Sequence, residues 1–321
     1  MKNKTAILLI NLGSPEEPNK KALKKYLREF LSDKRVVDLN RFLWLPILHL
    51  IILNTRPQKS ALLYQKIWDY ENNLSPLIQI TQKQVKALQL RNPNLHFDYA
   101  MRYGKPSIKS KIQELKNQGF SKILFIPMYP QYSEATTASV LDEVMDFFKN
   151  DRNIPQWFFV RDWHDNPLYI NALADSYKKN QEKFKGAEKL LLSFHGIPKR
   201  FVALGDEYEK QVLKTAQLFR EKLALTEDFC EVVFQSHFGY EEWLKPYCDE
   251  RILQLAQEGV KNIAILCAGF SADCLETLEE IAIRNKKLFL DNGGENYFYI
   301  PALNDSEGQI LLFENLIKQF L

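Results

Sequence analysis

K-L-L-L-S-F-H-G-I-P, residues 189–198, opens on a run of apolar side chains and stops at a histidine, a glycine and a proline. A short apolar run between breakers fits a strand buried on both faces, as in a parallel sheet. Pro198 cannot continue a central strand, because it has no amide to give to a neighbour. His195 is therefore expected at the carboxyl end of a buried strand, where open α/β sheets place their ligands. A histidine there is either functional, since its ring titrates near neutrality, or a group satisfied by the backbone at the start of the next helix. Residues elsewhere in the chain weigh between the two.

Working outward, the same order of elements lies on either side. Upstream, Ala6–Asn11 reads as a short buried strand closed by Gly13-Ser14-Pro15, and Leu23–Leu31 has helical spacing. Strands at Phe97–Met101, Lys122–Pro127 and Trp157–Val160 alternate with helices at Leu77–Leu90 and Ile108–Lys116, the second with Gly119 as its C-cap. Thr136 or Thr137 is the expected cap of a helix running to Phe148, and Leu168–Phe184 reads as a further helix. Downstream come helix Glu207–Leu223, strand Glu231–Gln235, helix Arg251–Gln257, strand Ile263–Cys267, helix Leu275–Arg284, strand Tyr297–Pro301 and helix Glu307–Phe320. Residues 114–127 (E-L-K-N-Q-G-F-S-K-I-L-F-I-P) parallel residues 254–267 (Q-L-A-Q-E-G-V-K-N-I-A-I-L-C), and N-L-G-S-P (11–15) parallels F-H-G-I-P (194–198). An offset of about 140 residues is too long for a solenoid repeat. It predicts an α/β protein of two similar lobes, each a parallel sheet flanked by helices, with a cleft between them as the pocket. The expected division is residues 1–162 with 305–321 against 163–304.

At 321 residues, with 45% hydrophobic and 26% charged side chains, the chain is an ordinary globular one with room for two domains. A net charge of +3 is too mild to imply nucleic acid, and Lys/Arg stripes interleaved with aromatics are absent. Cys230, Cys248, Cys267 and Cys274 form no C-x-x-C pair, so neither a disulfide framework nor a zinc site is indicated. The opening M-K-N-K-T-A-I-L-L-I-N-L-G has too short an apolar run for an export signal, and the expected location is cytoplasmic. The most hydrophobic window, residues 41–53 (R-F-L-W-L-P-I-L-H-L-I-I-L), is too short to span a bilayer, which takes about 20 residues. It reads either as a buried helix or as an exposed lip that lies on a membrane or admits an apolar ligand. Arg56-Pro57 is expected to end it, Ser60–Asp69 to be helical again, and Asn73–Pro76 to turn.

The expected strand ends bring forward Leu12, Tyr103, Tyr129, His195, Phe270 and the helix that starts near Asp273. Glu276 and Glu280 are four apart, so both project from one face of that helix. Carboxylates leading towards a histidine can guide a divalent cation; the plainer alternative is a solvated helix face. Glu276 lies near the helix N-terminus, where negative charge is favoured. The donors are too few for a structural zinc site with four closed ligands, which suggests a metal in transit. There is no G-x-G-x-x-G after the first strand, no G-x-x-x-x-G-K-[ST] and no G-x-S-x-G elbow. His49, His96 and His164 lie in or near apolar segments and read as structural.

The motifs S-F-H-G-I-P (193–198), M-R-Y-G-K-P-S-I (101–108), Y-P-Q-Y-S (129–133), F-Q-S-H-F-G-Y-E-E-W-L-K-P (234–246) and A-D-C-L-E-T-L-E-E-I-A (272–282) resemble those of the ferrochelatase family. So do N-L-G-S-P (11–15), R-P-Q-K-S-A-L-L-Y (56–64) and L-N-D-S (303–306), and the likeness runs from Ala6 to about Ser306. The resemblance implies insertion of ferrous iron into protoporphyrin IX to give protohaem, the last step of haem synthesis. It also implies two Rossmann-like lobes with the porphyrin in the cleft. His195 then matches the family's active-site histidine, Glu276 its acidic partner across the macrocycle, and Glu280 the acidic trail proposed for metal delivery or proton removal. These three are the implied metal ligands. Tyr64, Ser75, Arg102, Tyr103, Trp243 and Phe270 match residues lining the porphyrin pocket. Leu12 stands where coproporphyrin-type enzymes tend to have Tyr, which favours protoporphyrin. Residues 42–53 match the family's lip, implying peripheral contact with a membrane. No cofactor is implied, since the iron is substrate, and no iron–sulfur cluster, since Cys is missing from the usual cluster positions. Three departures stand out: His237 and Tyr240 replace usual Arg residues, Gly205–Glu209 lacks a usual Pro and Cys, and Ala268 replaces a frequent Pro. Alternatives are a coproporphyrin III ferrochelatase and a non-catalytic porphyrin or haem binder.

Overall fold

The structure is a computed structural model and describes residues 4–239 and 241–320. Its strands fall into two four-stranded sheets, in two compact units. The first unit holds the described residues up to Tyr129, together with Ser133–Asp162 and those from Phe313 onward; the second holds Pro130–Tyr132 and Trp163–Leu312.

In the first unit the strands are β1 (Thr5–Gly13), β2 (His96–Tyr103), β3 (Lys122–Pro127) and β4 (Gln156–Phe159), all parallel, in the order β2-β1-β3-β4. Ala6 to Ile10 have no exposed surface, so both faces of β1 are covered and its sequence is a continuous apolar run, not an alternation. Helices Lys20–Ser32, Pro76–Arg91 and Ile108–Asn117 begin at Asn19, Ser75 and Ser107, whose side chains accept backbone amides of the first turn. Ile108, Ile112, Leu115, Val140, Val144 and Phe148 join Leu8 and Phe125 in one buried cluster. Gly13 has a φ of +106°, and a Cβ there would lie 1.8 Å from the Tyr103 carbonyl oxygen, so only glycine fits where β1 passes the end of β2.

The second unit repeats the plan with β5 (Lys189–His195), β6 (Cys230–Gln235), β7 (Asn262–Leu266) and β8 (Asn296–Ile300), parallel and ordered β6-β5-β7-β8. In both sheets the first strand is central, with its successor on one side and the next two on the other. That change of direction beside the central strand is where such sheets bind ligands. The turn after the second strand recurs too: Met101 N donates to Pro106 O (2.7 Å), and Phe234 N to Pro246 O (2.9 Å).

Several local expectations are corrected. Ser133, not Thr136 or Thr137, caps the helix that ends at Phe148, because a π-helical turn at Glu134–Ala138 starts it early. Residues 276–285 are π-helical as well, before a short α-helix at Lys286–Asp291. The helix Pro167–Asn180 tightens into a 3-10 turn at Gln181–Phe184. A short helix at Lys199–Ala203 was not anticipated. Pro57 does not end its helix, which runs on to Gln65. The preceding π-helical stretch Leu48–Ile52 mixes bonding patterns, and Asn54 Nδ2 and Thr55 Oγ1 donate to the Leu50 and Ile51 carbonyls (both 2.9 Å). A single lost amide is tolerated in such a helix. The window 41–53 is not a buried helix either: Phe42, Leu43, Leu50 and Ile51 are 91, 70, 73 and 55% exposed, while Leu48 and Leu53 turn inward.

Candidate active site

His195 ends β5, half-buried, in register with Gln235 at the end of β6. Its Nδ1 lies 2.6 Å from the Gly196 carbonyl oxygen. A carbonyl only accepts, so Nδ1 carries the hydrogen and a neutral ring keeps its lone pair on Nε2. The segment after it is clamped: Gly196 N donates to Gln235 O (2.7 Å), Leu244 N to Ile197 O (3.0 Å) and Lys199 N to Glu242 O (2.9 Å). A Cβ on Gly196 would meet Gln235 O at 3.0 Å and the Trp243 ring at 3.2 Å, which is why a glycine follows the histidine. Tyr208, buried within the segment that lacks the usual Pro and Cys, hydrogen-bonds the His195 backbone.

Glu276 opens the π-helix and is half-buried. The buried Asp273 anchors the helix start: it accepts from Thr277 Oγ1 (2.8 Å), Asn304 Nδ2 (2.7 Å) and the Tyr299 hydroxyl. Glu280 lies further along the same helix, with 14% of its side chain exposed. Its carboxylate accepts the Ser236 amide (2.9 Å) and the Ser236 hydroxyl, and Arg284 stands 3.6 Å away. Ser236 holds a φ of +68°, a left-handed conformation that non-glycine residues rarely adopt. Burial pushes the Glu280 carboxyl above the ordinary carboxylate range; Glu276 adds to this, while Ser236, Arg284 and His195 pull the other way without cancelling it. Glu280 thus lies within electrostatic reach of both His195 and Glu276. Among the described residues no three His, Cys, Asp or Glu side chains assemble a metal-holding group, so these three do not form a preformed cage.

The other expected residues divide. Trp243 is buried beneath Phe238, ring centroids 4.7 Å apart, and pairs with Pro198. Phe270 is half-buried against the β7 core. His237 stacks on Tyr247 at 4.0 Å, its Nδ1 3.8 Å from Asp249; Tyr240 lies outside the described residues. Ala268 gives its carbonyl to the buried Tyr169 hydroxyl. In the first unit Leu12 is half-buried at the end of β1. Tyr64 and Ser75 are 6 and 1% exposed, Ser75 tied to Ser14 through their hydroxyls (2.7 Å). Tyr103 is 1% exposed and Arg102 half-buried, and both side chains converge on Asp33 Oδ2 at 2.8 and 2.5 Å, beside the Ser139 hydroxyl. Sequence reasoning missed Asp33, Ser139, Ser193, Gln235 and Ser236. The available signal was polar residues such as Ser193 and Gln235 inside otherwise buried strands.

Two parallel sheets of this order, with a histidine at a strand end beside a carboxylate-bearing π-helix, define a chelatase-type α/β protein. Solved chelatases share the fold: SirB from Bacillus subtilis with Fe3+ (TM-score 0.58, 12% identity, 98% of this chain and 95% of that one) and the sirohydrochlorin chelatase SirB from Bacillus subtilis subspecies spizizenii with cobalt (0.58, 11%, 98% and 94%). At closer range, the family model for ferrochelatase matches residues 4–321. Ferrochelatases from Actinobacillus pleuropneumoniae serotype 3 (strain JL03) and Yersinia pestis (strain Pestoides F) are 49 and 45% identical, over 98% and 99% of each chain. The chain belongs to the ferrochelatase family: it is a metal chelatase, a lyase whose substrates are a porphyrin and a metal ion.

Proposed function

We propose that this chain inserts ferrous iron into protoporphyrin IX to give protohaem, the last step of haem synthesis, with His195 taking pyrrole protons and Glu276 handling the metal. One observation carries the assignment: the His195 Nδ1 hydrogen is committed to the Gly196 carbonyl, so Nε2 is the basic atom. Metallation must strip two protons from the macrocycle while the metal sheds water, and a neutral imidazole accepts protons near neutrality. Glu280, whose carboxyl is raised by burial, can hold a proton passed on from the site or meet the metal before Glu276 does. The family resemblance supports His195, Glu276 and Glu280 as the metal-contacting groups, and Trp243 and Phe270 as aromatic contacts of the macrocycle. The four cysteines are buried and free, and none stands in a C-x-x-C pair. Leu12 stands where coproporphyrin-type members of the family tend to have Tyr, and that resemblance favours protoporphyrin. Phe42, Leu43, Leu50 and Ile51 suit a peripheral, cytoplasmic-side contact with lipid; among the described residues no helix is long and apolar enough to cross a membrane.

The test is an anaerobic assay of Fe²⁺ insertion with protoporphyrin against coproporphyrin. Protoporphyrin is expected to have the higher kcat/KM, and the reverse order establishes the coproporphyrin reading. His195→Ala should lose about 10²–10⁴ in kcat, the range for a general base. Near-normal insertion by that variant removes His195 from its role. Porphyrin binding with no acceleration by the parent would instead mark a carrier.

A further inference from the structure

We infer that Gln235 is the positioning residue that sets the Glu276 end of the π-helix against the His195 imidazole, an inference that rests on those two groups being the working pair. Gln235 is 1% exposed and sits in register with His195 on the neighbouring strand. Its Nε2 donates to the Glu276 carbonyl at 2.8 Å. Its own carbonyl accepts the Gly196 amide at 2.7 Å, and the Gly196 carbonyl in turn accepts the His195 ring at 2.6 Å. The Gln235 side chain thus holds the first residue of the π-helix, while its backbone carbonyl holds the glycine whose own carbonyl bonds the imidazole. That side chain cannot swing away: its Oε1 accepts the Ser193 hydroxyl at 2.7 Å, and Ser193 has no exposed surface. The Cys267 thiol also points at Oε1, at 3.8 Å, and the Cys248 thiol stands 4.0 Å from Ser193 Oγ.

The chemistry of the amide is what the place requires. Ser193 brings a donor and the Glu276 carbonyl an acceptor, so the residue between them must accept at one end and donate at the other. An uncharged glutamine does both. A carboxylate there would face a carbonyl oxygen with nothing to offer it, and an aliphatic chain would leave two buried polar groups unmatched. The Glu276 carbonyl belongs to the first turn of the π-helix, and the Gln235 amide adds a bond to it from outside that helix.

The experiment compares Gln235→Leu, Gln235→Glu, Ser193→Ala and His195→Ala in full-length protein, using Zn²⁺ and protoporphyrin as probes. Porphyrin sites are counted by fluorescence quenching, and turnover is expressed per bound porphyrin. Gln235→Leu and Gln235→Glu are expected to bind porphyrin within about twofold of the parent while turnover per site falls about tenfold or more and the KM for metal rises, since a 1 Å misplacement can cost about 10²-fold. Ser193→Ala, which removes only the brace, should fall less. A purely structural role would lower the number of sites and leave turnover per site and the metal KM unchanged, and that result overturns the inference. Should Gln235→Leu fail to fold, the near-isosteric Gln235→Glu decides alone. If His195→Ala retains turnover, the working pair itself is wrong; if His195→Ala is inactive and both Gln235 variants turn over normally, only the role of Gln235 is.

Discussion

At the scale of single residues, side chains work here by where their hydrogen bonds leave a lone pair or a charge. His195 spends one nitrogen on a carbonyl and keeps the other. Glu280 is held by a serine in a left-handed conformation, backbone that persists only where its surroundings over-determine it. Asp33 shows the opposite balance. Burial raises its carboxyl, but the Ser139 hydroxyl, the Arg102 guanidinium, the Arg35 amide and the Tyr103 hydroxyl outweigh that and leave it below the ordinary range. A carboxyl lowered in the folded state contributes stability that is fully present above its ordinary value, near 3.9, and is lost as pH falls through the lowered one. Asp33→Asn is therefore expected to cost about 3–5 kcal/mol near neutrality, as for breaking a buried ion pair. The gap between parent and variant should close below about pH 4 in urea titrations. A gap independent of pH would mean that the carboxylate charge contributes nothing.

At the scale of elements, close backbone approaches decide the strand ends. Gly13 and Gly119 both have positive φ, yet a Cβ at Gly119 meets nothing within 4 Å, whereas one at Gly13 collides with Tyr103. Gly119→Ala should cost about 1–2 kcal/mol, the left-handed penalty alone. Gly13→Ala should exceed about 4 kcal/mol, because it must also move β1 off β2. Comparing the two urea midpoints checks this, and equal losses would show that packing at Gly13 is soft. Helix identity was legible from apolar spacing, but helix type was not. The spacing of Glu276 and Glu280 looked α-helical, and the segment is π-helical. Residues four apart fall near one face in either geometry, so periodicity cannot separate them; Asp273 just upstream, and Gln235 and Ser236 from the end of β6, bond to this helix. The early start at Ser133 was hidden for the same reason, since Thr136 and Thr137 are equally good caps by type.

At the scale of the whole molecule, the chain uses one plan twice and equips the copies differently. Both sheets share strand order and the turn through Lys-Pro, yet the residue before the strand-end glycine is Leu12 in the first unit and His195 in the second. The exposed apolar face at Phe42, Leu43, Leu50 and Ile51 adds a surface property with no counterpart in the core. Exchanging Phe42 and Leu50 for Ser should lower partition onto lipid vesicles by about 10²-fold or more, at about 1.5–3 kcal/mol for each large side chain buried, with the thermal midpoint unchanged. Unaltered vesicle binding would remove this face from membrane contact. The parallel α/β plan, the repeat and the histidine at a strand end were all written locally, because doubly buried strands demand unbroken apolar runs and chain reversal demands Gly or Pro. Partners far apart in sequence were not: Gln235 with Glu276, Ser236 with Glu280 and Asp33 with Arg102 meet only once the sheets are assembled. Whether residues 41–53 face the core or the solvent was likewise a tertiary decision, since an apolar stretch reads the same until its neighbours are in place.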